Sequence, residues 1–414
     1  MKITKGLLPF LLFILMSVTL LTGCSHVDKT DVEAVITNEL DLLKNLDSDT
    51  TQKYVSYKEL FPDTTEEIQL SNEVKEVFSL FFQDFDYKIL DIDVDNDIKE
   101  ASVSLRLSTL DAKTLAKDYA EASLEAAILK AAASDTQSTE ETTDSLEERY
   151  LILDSLLKEN KYETVTRDCT MTLQHNGSDH DEWEIQRSHS LENDLVGGLI
   201  SYLSDNDILS PEETLTVYLN TLKSMDTRQM GDYLGIESLL NTSDSDKNSI
   251  ASALVEQVHQ NFDFKITDCD TQGYTATIST TITTFDSTAI LNTFSQEQDT
   301  YLSSADAVID GSEKRYQKSL EMLLKDIENN TATITSSAYF HLTNDGVSWK
   351  LDDSNTTIGN AIFGTLSNSP VSEETEDADS KEDEEEDAPE VLDADETTED
   401  TSSEEAETIS QDEE

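Results

Sequence analysis

Glycine, proline and cysteine are scarce: 12, 5 and 3 among 414 residues. So little glycine and proline excludes a collagen-like or linker-rich polymer. Three cysteines are too few for a disulfide scaffold, and no Cys-x-x-Cys or Cys/His spacing suggests zinc. Positive charge is equally short, with 28 basic residues against 88 acidic ones and a net charge of −60. A surface this acidic repels nucleic acid, which is excluded as a partner. Beyond residue 23 no stretch approaches the roughly 18 apolar residues that a membrane span requires. A nucleophile elbow, a phosphate-cradling glycine loop and a metalloprotease helix are all missing, so no catalytic residue, metal or cofactor is assigned.

The first segment is distinctive. Lys2 and Lys5 are followed by an uncharged run from Gly6 to Gly23, mostly Leu, Phe, Ile, Val and Met between Leu7 and Leu21. Positive start, apolar core and small residues before a cut describe a secretory signal. The alternative is an uncleaved membrane helix. Pro9 and the Thr22-Gly23-Cys24 ending argue against it. Leu21-Thr22-Gly23-Cys24 resembles the lipobox of bacterial lipoproteins. The resemblance implies that residues 1–23 are removed and that Cys24 carries a diacylglyceryl group. Residues 24–30 would then tether the protein to the outer face of the bacterial cytoplasmic membrane. Two acyl chains hold a protein stably, at about 0.8 kcal/mol per buried methylene.

The remainder reads as one unit written twice, over residues 31–205 and 206–368. Thr30-Asp31-Val32-Glu33 and Ser210-Pro211-Glu212-Glu213 both look like helix starts. Leu42-Leu43-Lys44-Asn45-Leu46-Asp47 matches Thr221-Leu222-Lys223-Ser224-Met225-Asp226, and Phe85-Asp86-Tyr87-Lys88-Ile89 matches Phe262-Asp263-Phe264-Lys265-Ile266. At this second echo the period changes from helix to strand. Leu90, Ile92 and Val94 are expected on one face, and Ala101 to Leu107 alternate in the next strand; Tyr274, Ala276, Ile278 and Ile282 form its counterpart. A helical hairpin follows in each copy, holding Tyr150 and Tyr316. Strands around Val165, Cys169, Met171, Leu173 and Ile334, Ala338, Phe340, Leu342 come next. Tight turns at Asn176-Gly177 and Asp345-Gly346 lead to Trp183 and Trp349. Each copy ends in an apolar segment containing glycine, 195–203 and 358–366.

Helices segregated against an antiparallel sheet define an α+β class, here two repeated domains, each with helices packed on a curved sheet and a helical hairpin inserted. This element order resembles the cone-shaped, cystatin-like α+β fold of the nuclear-transport-factor-2-like (NTF2-like) family. In detail the chain is similar to the uncharacterised tandem-domain lipoproteins of Gram-positive bacteria. The resemblance covers residues 31 to about 368 and implies no particular chemistry. From 369 the chain is a tail; Val371 to Glu414 holds 23 acidic residues, one lysine and no aromatic, a composition expected to stay disordered.

Several residues invite a sharper reading. Asp91 to Asp97 looks like a calcium-loop fragment, but Asn96 and Ser102 stand where glycine and glutamate are needed, so a solvated strand face is expected. His175, His180 and His189 surround the first tight turn and read as an exposed loop. Cys169 and Cys269 read as two unpaired, buried thiols. Arg167 shares the inward parity of Val165 and Cys169, and is the one candidate for gripping an anionic ligand; the plainer expectation pairs it with a nearby carboxylate. The repeated aromatics are expected in the core. Function therefore reads first as a non-catalytic envelope module binding a small ligand or an envelope protein. An enzyme with a pocket near Arg167 comes second, and a surface spacer working through its acidic tail third.

Overall fold

The computed structural model describes residues 29–47, 50, 60–61, 72–133, 145–176, 182–234, 245–352, 354–364 and 366. The lipobox, Gly177, His180 and the acidic tail lie outside the described residues. Two four-stranded antiparallel sheets, each with its own helices, make up the α+β architecture, and the element order of the first recurs in the second.

In the first repeat, α1 (Lys29–Lys44) buries Val32, Ile36, Leu40 and Leu43, one stripe at helical spacing. After α2 (Asn72–Phe81) come β1 (Asp86–Asp95) and β2 (Glu100–Leu110). The helical hairpin α3 (Ala112–Ala133) and α4 (Leu146–Glu159) precedes β3 (Thr164–Asn176) and β4 (Glu182–Ile185), and α5 (His189–Leu195) and α6 (Leu199–Leu203) close the unit. The second repeat runs α7 (Pro211–Leu222), α8 (Thr227–Leu234), α9 (Ser245–Asn261), β5 (Asp263–Gln272), β6 (Thr275–Phe285), α10 (Ser287–Leu302), α11 (Ala305–Glu328), β7 (Thr333–Asn344), β8 (Trp349–Leu351) and α12 (Ser354–Phe363). Each sheet keeps sequence order, β1-β2-β3-β4 and β5-β6-β7-β8.

Ala101, Val103, Leu105 and Leu107 of β2 are buried, as alternation requires, and Cys169, Met171 and Leu173 of β3 join them. The alternation breaks in β1. A bulge between Ile89 and Asp91 turns Leu90 outward, 42% exposed, and puts Ile89 on the inner face with Ile92 and Val94. The second sheet bulges at the matching place, between Ile266 and Asp268. Tyr274 sits at the β5–β6 turn and is exposed, and Val165 and Ile334 lie on strand ends beyond the packed area. Cys169 is buried, Cys269 is half-buried, and both thiols are free.

The helix starts differ for a chemical reason. Ser210 caps α7 through the Glu213 amide, Glu213 answers to the Ser210 amide, and Pro211 takes the first helical position. The first repeat has Val32 where Pro211 stands, and the helix there already runs through Lys29–Asp31, so Thr30 lies within it. Glycines close each repeat: a Cβ on Gly197 would lie 2.5 Å from Thr109 Oγ1, and one on Gly364 would lie 2.9 Å from Ser287 Oγ, both at positive φ.

The two repeats are joined by more than their linker. Near its start, α3 buries Leu115 and Ala116 in the first core; near its end, it buries Ile128 and Ala132 in the second, with Leu124 and Leu129 packed beside them. These two ends are ~20 Å apart at 1.5 Å per residue. The end of α3 packs on α7 and α8. In α10 the matching positions are Asp299 and Ser303 in place of Leu124 and Ile128, and that helix stops at Leu302. The first repeat's hairpin thus buries an apolar face in the other repeat's core, while the second's leaves Leu302, Val308 and Ile309 exposed.

This geometry predicts one cooperative unfolding transition for both repeats. Ile128→Ala should lower stability by ~2–5 kcal/mol. Ile128→Asp should split the calorimetric transition in two, with the first repeat melting near its wild-type temperature.

Candidate functional site

Among the helices of the first repeat, Leu60, Phe78, Leu115, Leu153, Val196 and Leu199 surround a void of about 10 Å³. That is room for one water at most, and its walls are apolar. Tyr150 is wholly buried there and meets Phe61 edge-on at 5.4 Å. Phe85, Phe262, Trp183 and Trp349 are core residues too. Tyr316 is not: it is 43% exposed on α11. The repeats superpose from their strand ends backwards, which sets Ser319, not Tyr316, opposite Tyr150.

Arg167 is half-buried on β3. Its guanidinium lies 3.5 Å from Asp194 Oδ1 and donates to the Tyr202 hydroxyl at 3.3 Å. It rests on the backbone of Gly198, where a Cβ would come within 2.7 Å of both terminal nitrogens. Arg167 thereby fastens α5 and α6 to the sheet. Burial pushes the Asp194 carboxyl up, while Arg167 pulls it back. Burial, with Asp194 and Asp168 adding to it, pushes the nearby Cys169 thiol to about 12, so that thiol stays protonated and inert at neutral pH.

The other predicted sites are dispersed. Asp91 and Asp93 are exposed on β1, and Asp95 Oδ1 accepts from the Asp97 amide in the turn that follows. His175 ends β3 with its ring edge-on to Trp183 at 5.1 Å, and His189 opens α5, exposed. Among the described residues no three His, Cys, Asp or Glu side chains come together as a metal site would need.

One surface recess lies at the seam between the repeats. A cleft of about 460 Å³ is bounded by Asp118, Glu121 and Glu125 of α3, Asn160 after α4, and Asn220 and Thr221 of α7. The three carboxylates recur at i, i+3 and i+7 and so share one helix face. Its edge is pinned by an ion pair from Lys117 to Glu213, the residue that also caps α7. Tyr162 donates to Asp118 at 2.9 Å, and burial lifts its hydroxyl to about 12, leaving it a neutral donor. Burial raises the Glu121 carboxyl; Lys117 opposes this and Asp118 and Glu213 reinforce it. Burial would raise Glu213 too, but the Lys117 ammonium and the Ser210 amide hold its carboxyl below the usual range. A comparable groove of about 470 Å³ runs between α9 and α11, lined by Ser252, Glu256, Gln257 and Glu328.

The sequence reading missed the seam. Its signal was present: Leu124, Ile128 and Ala132 continue a stripe at four-residue spacing past the point where the first sheet has use for it. A second missed feature is the linker's grip on the second sheet. Asn344 Nδ2 donates to the Asn206 carbonyl at 3.0 Å, and Trp349 Nε1 donates to Asp207 Oδ1 at 2.9 Å.

In comparisons with known proteins, no family model matches the chain and no curated protein matches it. One similar solved structure is ycdA from Bacillus subtilis subsp. subtilis str. 168, a protein provisionally described as a lipoprotein. It is 10% identical, with 67% of this chain and 96% of that chain covered, at a TM-score of 0.25. At that score the likeness carries no weight for fold or function. Among the described residues, no helix is long and apolar enough to cross a membrane.

Two carboxylates of the seam should titrate with opposite sign. A carboxyl raised on folding weakens the fold at neutral pH, and the penalty lifts as pH falls through its folded pKa. Glu121→Gln should therefore stabilise the protein at pH 7, the gain vanishing below the unfolded value of about 4.3. Glu213 contributes stability above its unfolded pKa and loses it as pH falls through the depressed one, so Glu213→Gln should cost stability at pH 7 and nothing in strong acid. Urea midpoints measured against pH check both.

Proposed function

We propose that the chain is a lipid-anchored lipoprotein on the outer face of the bacterial cytoplasmic membrane, and a non-catalytic module that binds an envelope protein or a small ligand on its surface. In this reading residues 1–23 are the signal, Cys24 carries the diacylglyceryl group, 24–30 are the tether, and the repeats span 31–205 and 206–368. The tail, 369–414, is a run of like charge that repels itself and solvates the protein. The address rests on the Leu21-Thr22-Gly23-Cys24 pattern after an uncharged run.

The single observation carrying the binding mode is where the recesses lie. Two surface recesses are of similar size: one of about 470 Å³ lies within the second repeat and one of about 460 Å³ sits where both repeats meet, whereas the void among the first repeat's helices measures only about 10 Å³. A surface recess built by two domains suits a binding partner that touches both. Its walls offer carboxylates, amides and hydroxyls, so the chemistry it favours is a polar or basic group. The enzyme reading places its pocket at Arg167, where a ligand anion would have to displace Asp194 and Tyr202 from the guanidinium.

Two measurements test the proposal. Cys24→Ala should abolish metabolic acyl labelling and release or misprocess the protein; labelling that persists contradicts the anchor. A photo-crosslinking residue at Asn220 should give a discrete adduct in cells, weakened by Glu125→Lys. Under the enzyme reading the adduct would be insensitive to Glu125, and Arg167→Ala would remove activity even at temperatures where its melting curve shows the protein still folded.

A further inference from the structure

The second sheet ends on a short strand that covers only part of its neighbour. β8 pairs with Leu342 to Asn344 of β7, and the Asp352 amide adds one bond, to the His341 carbonyl. Backbone groups alternate in direction along a strand, so those of Thr335, Ser337 and Tyr339 point the same way as the His341 carbonyl, away from β6. Among the described residues no backbone group pairs with them. Thr333 to Ser337 are all exposed, and Tyr339 is 61% exposed. Residues 333–339 of β7 are therefore an open sheet edge, ~20 Å long at 3.3 Å per residue.

The other long edges carry guards. β1 has Asp86, Lys88, Asp91, Asp93 and Asp95, and β5 has Asp263, Lys265, Asp268 and Asp270. β4 likewise covers only the end of β3, but the open part of β3 holds Arg167, fastened to Asp194 and Tyr202, and Asp168, paired with Arg106. From Asn329 to Asn344 there is no Asp, Glu, Lys, Arg or Pro, in a chain of which 28% is charged. Charge and proline are what keep the edge strands of soluble proteins from pairing. The β7 edge alone, among the described strands, is long, open and without them.

We propose that this edge pairs antiparallel with the same edge of a second copy, joining two four-stranded sheets into one. Centred on Ser336, the pairing sets Thr335 opposite the partner's Ser337 and Thr333 opposite the partner's Tyr339. Their outward amides and carbonyls then exchange about eight hydrogen bonds. On the inner face Ile334, 44% exposed, comes to lie beside the partner's Ala338. Hydroxyl–hydroxyl and aromatic–threonine neighbours of this kind favour a cross-strand pair. An identical edge thus matches residue for residue, whereas the edge presents no charge with which to select a foreign segment. The contact is isologous and closes at two copies, so it does not run on into a fibre. It is independent of the lipid-anchor reading. A net charge of −60 on each chain opposes the encounter, so the dimer tightens as salt screens it.

Sedimentation equilibrium of the full chain at low and high salt tests this. The expected result is twice the chain's mass, with the dimer tighter at high salt. Ser337→Pro deletes an N–H that its own sheet does not use, a change that edge strands tolerate. It should abolish the dimer and leave the melting temperature unchanged. Ser337→Lys keeps the backbone intact and brings like charges together across the two-fold axis, and should abolish the dimer as well. In cells, a photo-crosslinking residue at Thr335 should yield an adduct of two copies. A wild-type chain that sediments as a monomer, a dimer that survives both variants or weakens as salt rises, or an adduct with a foreign protein in place of a second copy overturns the proposal.

Discussion

One helix in two cores is the constraint on which the rest depends. α3 buries Leu115 and Ala116 with the first sheet and Ile128 and Ala132 with the second. Neither set can leave its core without exposing apolar surface, at roughly 25 cal/mol per Å². The helix therefore acts as a rigid strut, and linker length has little say in how the repeats lie. The seam cleft, the Lys117–Glu213 pair and the burial of Glu121 all follow from that placement.

Duplication explains both what the repeats share and where they part. Bulges at matching places, glycines that let the closing segments approach Thr109 and Ser287, and paired Trp183 and Trp349 are common to both. The departures lie where each repeat meets a different neighbour. The second hairpin carries Asp299 and Ser303 in place of Leu124 and Ile128, the residues that pack into the neighbouring core. The first carries Arg167 where the second has Ser336, and only the first ties its closing helices to the sheet through a guanidinium.

Much of this was legible in the sequence because it is periodic. The stripe of α1, the alternation of β2 and the Ser210–Glu213 cap depend on neighbours in the chain, and local spacing reveals them. Leu90 misled because a bulge adds one residue to a strand without any mark in the alternation. Tyr316 misled because a matched Arg-Tyr pair is weaker evidence than the strand ends that fix the register. The seam was hidden for a different reason. Asp118 and Glu121 look like any solvated helix face until α7 is laid beside them, and no local pattern encodes that approach.

Through α3 the two repeats form one rigid body. Spin labels at Lys88 and Lys265, matching exposed positions on β1 and β5, in a chain with Cys169 and Cys269 replaced, report it most directly. Pulsed dipolar spectroscopy should return a single narrow distance distribution that does not move between low and high salt. A broad distribution, or one that widens as salt screens the charges, would mean that the repeats swing on their linker and that the strut does not exist.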